Sequence, residues 1–417
     1  MATPNVCPTP FNIVRRAQIG ILAIALLIAL PAAVAAQDPD GAKDAKIHVG
    51  QLSLTPTIAL SNIGVDTNVF NEADQLHPKK DFTFTVTPAF AAWYRVGQVW
   101  LIGTAKEDLV YYHKYSSERA ANLHTTGGVL VPFNRLVLKS IWSYANVRDR
   151  PGYEIDARSQ RIEAGPTASA EYRLGGKTFV GVRGVRNKID FDKSAVFLGQ
   201  SLQDELNRTE TTVAATMRHA LTPLTSLTFD FARQEDRFLY STARDSNSTR
   251  ITGGVKFDPF AIIKGSAVIG VRRFTPLSRA VVANTGPTAA IDLSYIALDT
   301  TKIGVQVNRD LQYSFELTQP YYVQSGLGFT VDQRVAGPWD VTGKFNAQRL
   351  RYQNNVITDL FAPERVDHVR VYGGGVLYRM GRDMKAAFTI ERQARTSPVE
   401  LLQYSGLRYG GSVTYGF

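Results

Sequence analysis

Segments in which apolar and polar residues alternate recur along almost the whole chain, and this pattern limits the possible folds more than any other feature. From Leu52 to Leu60, and again from Phe82 to Tyr94, every second residue is mainly apolar or aromatic. A period of two is typical of β-strands with one apolar face. Many segments keep it for about ten residues, the length of a tilted strand that crosses a bilayer. Strands in soluble proteins are usually about five or six residues long. The pattern therefore predicts a membrane-spanning β-barrel.

The last segment of the chain is aromatic on one face. Tyr409, Val413, Tyr415 and Phe417 alternate with glycine, serine and threonine, and Phe417 is the final residue of the sequence. A strand that ends on an aromatic residue resembles the C-terminal signal that the outer-membrane barrel assembly machinery reads. We therefore expect these four residues to act as an assembly signal and that machinery to be a partner.

The first 36 residues have the layout of a secretory signal peptide. Arg15 and Arg16 precede an apolar run from Ile19 to Leu30, and small residues follow up to Ala36. The run is shorter than the roughly 20 residues that a membrane-spanning helix needs. These features predict export by the Sec route to the outer membrane of a Gram-negative cell. The expected parts are a signal peptide over residues 1–36, a short periplasmic segment over 37–47 and the barrel over 48–417.

The connections between the alternating segments are predicted to be short and long in turn. Short turns are expected near Gly97-Gln98, Gly175-Gly176 and Gly337-Pro338, among other places. Short periplasmic turns and long extracellular loops are typical of bacterial barrels. The predicted fold is all-β, a single antiparallel transmembrane β-barrel of about 18 strands (16–18). Residues 63–79 and 191–204 are the long loops expected to fold inward as a constriction.

Composition and motifs argue against catalysis, metal binding and nucleic-acid binding. The formal net charge of +10 is mild for 417 residues, and the only cysteine, Cys7, precedes the expected cleavage site. No nucleophile elbow, His-Glu-x-x-His sequence or phosphate-binding loop is present. Asp66, Glu72 and Asp74 could bind a divalent cation, but we interpret them as ordinary loop acids. We expect no catalytic residue, no metal, no cofactor and no nucleic-acid partner.

Charged residues of both signs are predicted to line the lumen, because they lie opposite the apolar positions of their strands. Fixed charges in a pore select the sign of the permeant ion, and a mixed set predicts weak selectivity or pairing across the wall. The predicted pore-lining residues are Lys139, Glu163, Glu171, Arg173, Arg218, Asp230, Lys256, Arg272, Asp292, Asp332, Asp340, Lys344, Glu391 and Arg408.

A short entry segment carries a family resemblance. The strand-like stretch Leu54–Leu60 is followed by Gly64-Val65-Asp66-Thr67-Asn68-Val69-Phe70. This arrangement resembles an outer-membrane β-barrel porin group that includes EpsL-like barrels of exopolysaccharide operons in Gram-negative bacteria. The resemblance implies an outer-membrane barrel and a link to polysaccharide export, and it brings no catalytic residues with it.

These observations together predict a porin-like channel for passive passage of small hydrophilic solutes or saccharides. Two alternatives stay open at this point. One is a barrel component of exopolysaccharide export, and the other is a closed structural or adhesive barrel that binds partners through its outer loops. The expected surroundings are outer-membrane lipid and lipopolysaccharide, and the sequence leaves open whether the chain forms a homo-oligomer.

Overall fold

The computed structural model describes residues 41–258, 261–356 and 364–416. The expected signal peptide and Phe417 lie outside these residues. In the described part of the chain, no helix has the length and apolar character needed to cross a membrane. The strands are β1 (Ile47–Val49), β2 (Leu52–Asp66), β3 (Asp81–Val96), β4 (Val99–Tyr112), β5 (Ala120–Pro132), β6 (Leu136–Asp149), β7 (Ser159–Arg173), β8 (Thr178–Phe191), β9 (Val196–Phe197), β10 (Gln200–Ser201), β11 (Arg208–Thr222), β12 (Thr225–Phe238), β13 (Ser246–Phe257), β14 (Ile263–Pro276), β15 (Asn284–Ala297), β16 (Thr301–Tyr313), β17 (Tyr321–Ala336), β18 (Trp339–Gln353), β19 (Val366–Met380), β20 (Met384–Thr396) and β21 (Tyr404–Tyr415).

Among the residues that the structure describes, the complete helical segments are short and lie between strands. They are the α-helix α1 (Leu202–Leu206) and the 3₁₀ turns Asp74–Leu76, Ser116–Glu118, Thr242–Arg244 and Glu400–Leu402.

Eighteen of the strands close into one antiparallel barrel. Each long strand pairs with the next one along the chain, and β2 pairs with both β3 and β21. Ile58 lies opposite Tyr415 and Asp66 lies opposite Arg408 at this closing seam. The short strand β1 pairs with β2, and β9 pairs only with β10. The predicted all-β barrel of about 18 strands is confirmed.

The two faces of each barrel strand differ in polarity. On β18, Trp339, Val341 and Phe345 are exposed, whereas Asp340 and Gln348 on the other face are buried. Side chains that reach past a neighbouring strand, such as that of Gln348 towards Asn308 on β16, leave from the polar face. The polar face is therefore the lumen face, and the exposed apolar face is the one that lipid would cover.

The connections differ in length at the two ends of the barrel. One end has short turns, such as 97–98, 223–224 and 337–338. At the other end lie the longer connections, which are residues 67–80, 113–119, 150–158, 192–207, 239–245, 277–283, 314–320, 354–365 and 397–403. We call this the loop end.

The closing seam contains a close backbone approach at Gly64. The register between β2 and β21 shifts near Asn62, whose φ of 55° is left-handed. A Cβ atom on Gly64 would lie 1.9 Å from the carbonyl oxygen of Tyr409. Any side chain at this position would push the first and last barrel strands apart.

We therefore predict that Gly64→Ala lowers the free energy of unfolding by about 1–3 kcal/mol, the usual effect of overpacking. Urea unfolding of the refolded barrel in lipid vesicles, followed by tryptophan fluorescence, measures this. Gly343→Ala on β18 is the matched control, because no neighbouring atom of the described residues lies within 4 Å of its added Cβ. Equal stability of the two variants would contradict the proposed crowding at the seam.

Candidate functional site

The connections at the loop end pack against one another over the lumen, and we call this assembly the cap. Its central segment is residues 150–158, between β6 and β7, which we call the crossing loop. The crossing loop reaches the connection between β16 and β17, almost half-way round the ring of strands. There the Ser314 hydroxyl donates to the Glu154 carboxylate at 2.6 Å, and the Phe315 N–H donates to it at 3.3 Å. The crossing loop therefore spans the mouth of the barrel.

An apolar cluster holds the crossing loop from one side. Ile155 is its member from the crossing loop, and it is almost fully buried. The other buried members come from β8 and from three further connections: Ile189, Phe191, Ala195, Phe197, Leu202, Leu206, Phe315 and Leu402. Full burial of a side chain of this size stabilises by about 1.5–3 kcal/mol relative to exposure. Burial of Ile155 in this cluster therefore stabilises the docked crossing loop.

A set of buried charges, which we call the ionic cluster, holds the crossing loop from the lumen wall. Arg395 on β20 donates to the Glu154 carbonyl at 2.8 Å and pairs with Asp156 and Asp367 at 2.6 Å each. Arg365 also pairs with Asp367 at 2.6 Å. The side chains of Arg395 and Asp367 are 0% exposed. Loss of one partner from such a pair leaves a buried charge uncompensated, which is strongly destabilising.

Glu154 is the acid of the crossing loop with the most perturbed ionisation. Burial raises its pKa to about 7, although Ser314, Arg365 and Arg395 oppose the shift. The carboxyl of a docked Glu154 therefore exchanges its proton near neutral pH. An undocked and hydrated Glu154 would exchange its proton near the ordinary value of about 4.5.

Two arginines anchor the crossing loop to the connections beside it. Arg158 pairs with Glu118 at 2.6 Å and donates to the Val69 carbonyl at 3.0 Å. Arg150 donates to the same carbonyl at 2.7 Å, and burial lowers its pKa to about 10. The Asn71 amide donates to Asp156 at 2.9 Å. The connection formed by residues 67–80 is therefore hydrogen-bonded to the crossing loop.

The part of the β16–β17 hairpin nearest the loop end bends into the lumen. Pairing between β15 and β16 stops at Ala289 and Arg309, although β16 pairs with β17 as far as Tyr313. The Tyr313 hydroxyl donates to Asp236 on β12 at 2.7 Å. Buried Arg244 donates to the Glu316 carbonyl at 3.0 Å. These contacts hold the hairpin where the crossing loop can meet it.

Most of the predicted lumen residues have partners along the wall. The described contacts are Arg161 to Glu163 and Arg218 to Glu171 at 2.6 Å each, Arg173 to the Asn134 carbonyl at 3.4 Å, Arg272 to Asp310 at 2.9 Å, Gln306 to Asp292 at 3.3 Å, Thr342 to Asp332 and Arg379 to Asp340 at 2.6 Å each, Lys344 to Glu391, and Arg408 to Asp66 at 2.9 Å. Lys139, Asp230 and Lys256 have no hydrogen bond or ion pair to the described part of the chain. A role of these charges in selectivity stays a prediction.

The two segments predicted as constrictions both take part in the cap, but neither is its centre. Residues 67–80 and 192–207 contribute Val69, Asn71 and several apolar side chains. A long connection at this position is expected from the sequence, but its central place in the cap was not predicted. Its sequence does contain one signal for burial. Glu154-Ile155-Asp156 places an apolar residue between two acids in a loop flanked by Arg150 and Arg158. Such a residue is a candidate for burial against other loops.

Three residues of the predicted assembly signal can be located. Tyr409, Val413 and Tyr415 are exposed on the apolar face of β21, and Val413 and Tyr415 lie opposite Leu60 and Ile58 of β2. They therefore border the closing seam. Their role in assembly stays a prediction.

The family described as "Putative beta-barrel porin 2" matches residues 42–416 of the chain. No curated protein matches its sequence. Among solved structures, OccK3 (OpdO) of Pseudomonas aeruginosa is similar over 87% of this chain and 95% of its own, with 10% identity and a TM-score of 0.47. The siderophore receptor PirA of the same species is similar over 89% of this chain and 81% of its own, with 7% identity and a TM-score of 0.40. A bacterial polysaccharide outer membrane secretin is similar over 87% of this chain and 98% of its own, with 9% identity and a TM-score of 0.33.

We predict that Arg395→Gln releases the crossing loop without unfolding the barrel. The substitution leaves Asp156 buried without its cation, whereas Asp367 keeps its pair with Arg365. Removal of one partner from a buried pair typically costs about 3–5 kcal/mol. Trypsin should then cut after Arg158 at least tenfold faster, as measured by mass spectrometry of the refolded protein; Arg150 precedes Pro151 and is therefore not a trypsin site.

Arg218→Gln is the matched control, because its pair with Glu171 is partly exposed on the lumen wall and lies outside the cap. It should leave the cleavage rate almost unchanged, since such pairs contribute about 0–1 kcal/mol. Equal cleavage of the two variants would show that the ionic cluster does not hold the crossing loop.

Proposed function

The chain belongs to the Putative beta-barrel porin 2 family, and on this premise we propose that it is an outer-membrane channel whose mouth is closed by the cap. We propose that small hydrophilic solutes, including small saccharides, diffuse through the lumen when the crossing loop moves aside. The loop end faces the cell exterior in this proposal, and no step of the transport involves covalent chemistry.

The observation that carries the proposal is the way in which the cap is held. The barrel wall is held by continuous backbone pairing, whereas the crossing loop meets the opposite wall mainly through side chains. The loop can therefore leave the lumen while every strand keeps its backbone hydrogen bonds. Motions of loops and lids of this kind occur on nanosecond to millisecond timescales.

A cavity beside the crossing loop, lined by charged, polar and apolar side chains, supports a hydrophilic solute. It has a volume of about 420 Å³ and is lined by Asp66, Tyr112, Arg158, Glu391 and Arg408, among others. Charges of both signs lie together there, which favours neutral, hydroxyl-rich or zwitterionic solutes over a simple ion of one sign. The cavity is large enough for a small saccharide and is of the size typical of small-molecule sites.

The cap also favours one alternative, a closed structural or adhesive barrel that binds partners through its outer loops. In that case the ionic cluster would be permanent and the lumen would never conduct. Export of exopolysaccharide rests on the entry-segment resemblance, and the family match does not extend to it. Measurement of conductance separates a channel from a closed barrel.

We predict that replacing residues 152–157 with a Gly-Ser segment raises single-channel conductance severalfold in planar bilayers. The unmodified barrel should show low conductance with brief openings, because the crossing loop spans the mouth. Leu239→Ser/Tyr240→Ser is the control, since both side chains are exposed in a neighbouring connection. Correctly folded proteins that do not conduct, with or without the crossing loop, would leave the closed adhesive barrel as the function.

We also predict that the channel opens more as pH rises from about 5 to 8. Docking raises the pKa of Glu154 from 4.5 to about 7, so the docked loop binds its proton more tightly than the free loop. The closed state is therefore favoured fully below the free value and loses stability as pH rises through the docked value. Arg365 and Arg395, which face Glu154, keep their charge throughout this range. The ratio of closed to open channels should fall by up to about 100-fold.

Open probability recorded at a series of pH values tests this, with Glu154→Gln as the companion variant. The glutamine keeps most of the shape of the carboxyl but cannot lose a proton, so its channel should stay mostly closed at pH 8. A Glu154→Gln channel with the same pH response as the unmodified protein would assign the response to another group.

A further inference from the structure

The wall of the barrel has a notch on its outer surface near the loop end. Residues 284–288 of β15 keep their pairing with β14, but β16 has already turned away from them towards the lumen. The notch is a cavity of about 470 Å³. Its lining includes the outward-facing residues Val323 and Ser325 of β17 and Arg349 and Arg351 of β18. Arg272 and Phe274, from the lumen face of β14, also line it. The notch therefore lies in the gap between β15 and β16, with outward-facing residues of β17 and β18 along its border.

Four arginines line the notch, and only part of their charge is neutralised. Arg272 pairs with Asp310, and Arg351 pairs with Glu364. Arg309 and Arg349 have no carboxylate partner among the described residues. Arg309 donates from Nη1 to the Ser325 hydroxyl at 2.6 Å, and its buried Nε has no hydrogen-bond partner in the described chain. The notch thus combines excess positive charge with an unused donor.

The two unneutralised arginines lie in one row across the sheet. Arg309 is opposite Ser325 on β17, and Ser325 is opposite Arg349 on β18. Strands are about 4.8 Å apart, so the two arginines are about 10 Å apart along the backbone. Their side chains are long enough to meet at a single phosphate or to bind two neighbouring ones. Bidentate pairing with phosphate is the interaction to which guanidinium groups are best suited.

An exposed apolar surface begins directly beside this row. Leu327 and Phe329 follow Ser325 on the same face of β17, and Phe345 and Val341 lie on the same face of β18 as Arg349. Positive charge therefore borders the apolar band on the side of the loop end. A lipid with a phosphorylated headgroup has the complementary order, with its phosphates beside its acyl chains. A free phosphate ion has no acyl chains and would not contact the apolar part of the surface.

We propose that the notch binds the phosphorylated headgroup of a lipid in the leaflet at the loop end, with Arg309 and Arg349 as the phosphate ligands. With the loop end outside, this lipid is the lipopolysaccharide of the outer leaflet. Its acyl chains lie over Leu327 and Phe345. The inference rests on the proposed membrane orientation and does not depend on whether the lumen conducts.

Native mass spectrometry of the refolded mature protein in detergent tests the site, with lipopolysaccharide, dephosphorylated lipopolysaccharide and inorganic phosphate as probes. We expect Arg309→Gln/Arg349→Gln to weaken binding of the phosphorylated lipid by at least about tenfold, since each arginine would lose charge-assisted hydrogen bonds. Arg135→Gln/Arg382→Gln removes two exposed arginines from the short turns at the other end and should change binding by less than about twofold. Heat-modifiable migration on a gel checks the fold of each variant, and Arg349→Gln alone tests the site if the double variant does not fold.

Each outcome bears on the proposal. Tighter binding of the phosphorylated lipid, lost only in the notch variants, supports it. Equal binding of dephosphorylated lipopolysaccharide would overturn it, because the acyl chains alone would then account for binding. Displacement of the lipid by low millimolar inorganic phosphate would also overturn it, since the notch would then be a small-anion site. Conductance measured on the same variants should stay unchanged, so a failed lipid site and a failed channel remain distinguishable.

Discussion

Backbone pairing between β2 and β21 is the interaction on which the rest of this structure depends. Inside a bilayer no water satisfies free N–H and C=O groups, so a sheet that spans it must close on itself. The first and last long strands meet at Gly64 and Gly410, where the close approach leaves no room for a Cβ atom. Closure with 18 strands makes a ring too wide for wall side chains alone to fill. The interior is therefore left to polar side chains and to whatever the connections place there.

The cap occupies part of that interior through two kinds of contact with different physical roles. The apolar cluster around Ile155 supplies the free energy of docking, because it removes apolar surface from water. The ionic cluster adds little net stability, since the desolvation of buried charges offsets much of their attraction. Its geometry defines where the crossing loop lies, because Arg395 on the wall pairs with Asp156 of the loop and with Asp367 of the wall at the same time. The docked position of the crossing loop is therefore stable, and the loop can still leave the wall because side-chain contacts hold it there.

One departure from regular pairing links the inside and the outside of the barrel. Where β16 leaves β15, Tyr313 and the residues after it enter the lumen and meet the crossing loop. The same departure leaves the notch on the outer surface, lined by Arg309 and Arg349. The inner cap and the outer notch are thus two consequences of a single bend in one hairpin. Their chemistry differs because one faces packed loops and the other faces the apolar, lipid-covered side.

The sequence by itself determined the strands, their approximate number and the polarity of their two faces. Those features are local, because a period of two appears in any ten consecutive residues of a strand and neighbouring strands pair in chain order. It did not determine the crossing loop, the perturbed Glu154 or the row of Arg309 and Arg349. Arg395 and Asp156 are 239 positions apart, and they meet only because the ring has a certain width and β16 bends inward. Loops carry no periodic pattern that records such contacts, so the tertiary structure alone decided how the mouth of the barrel is closed.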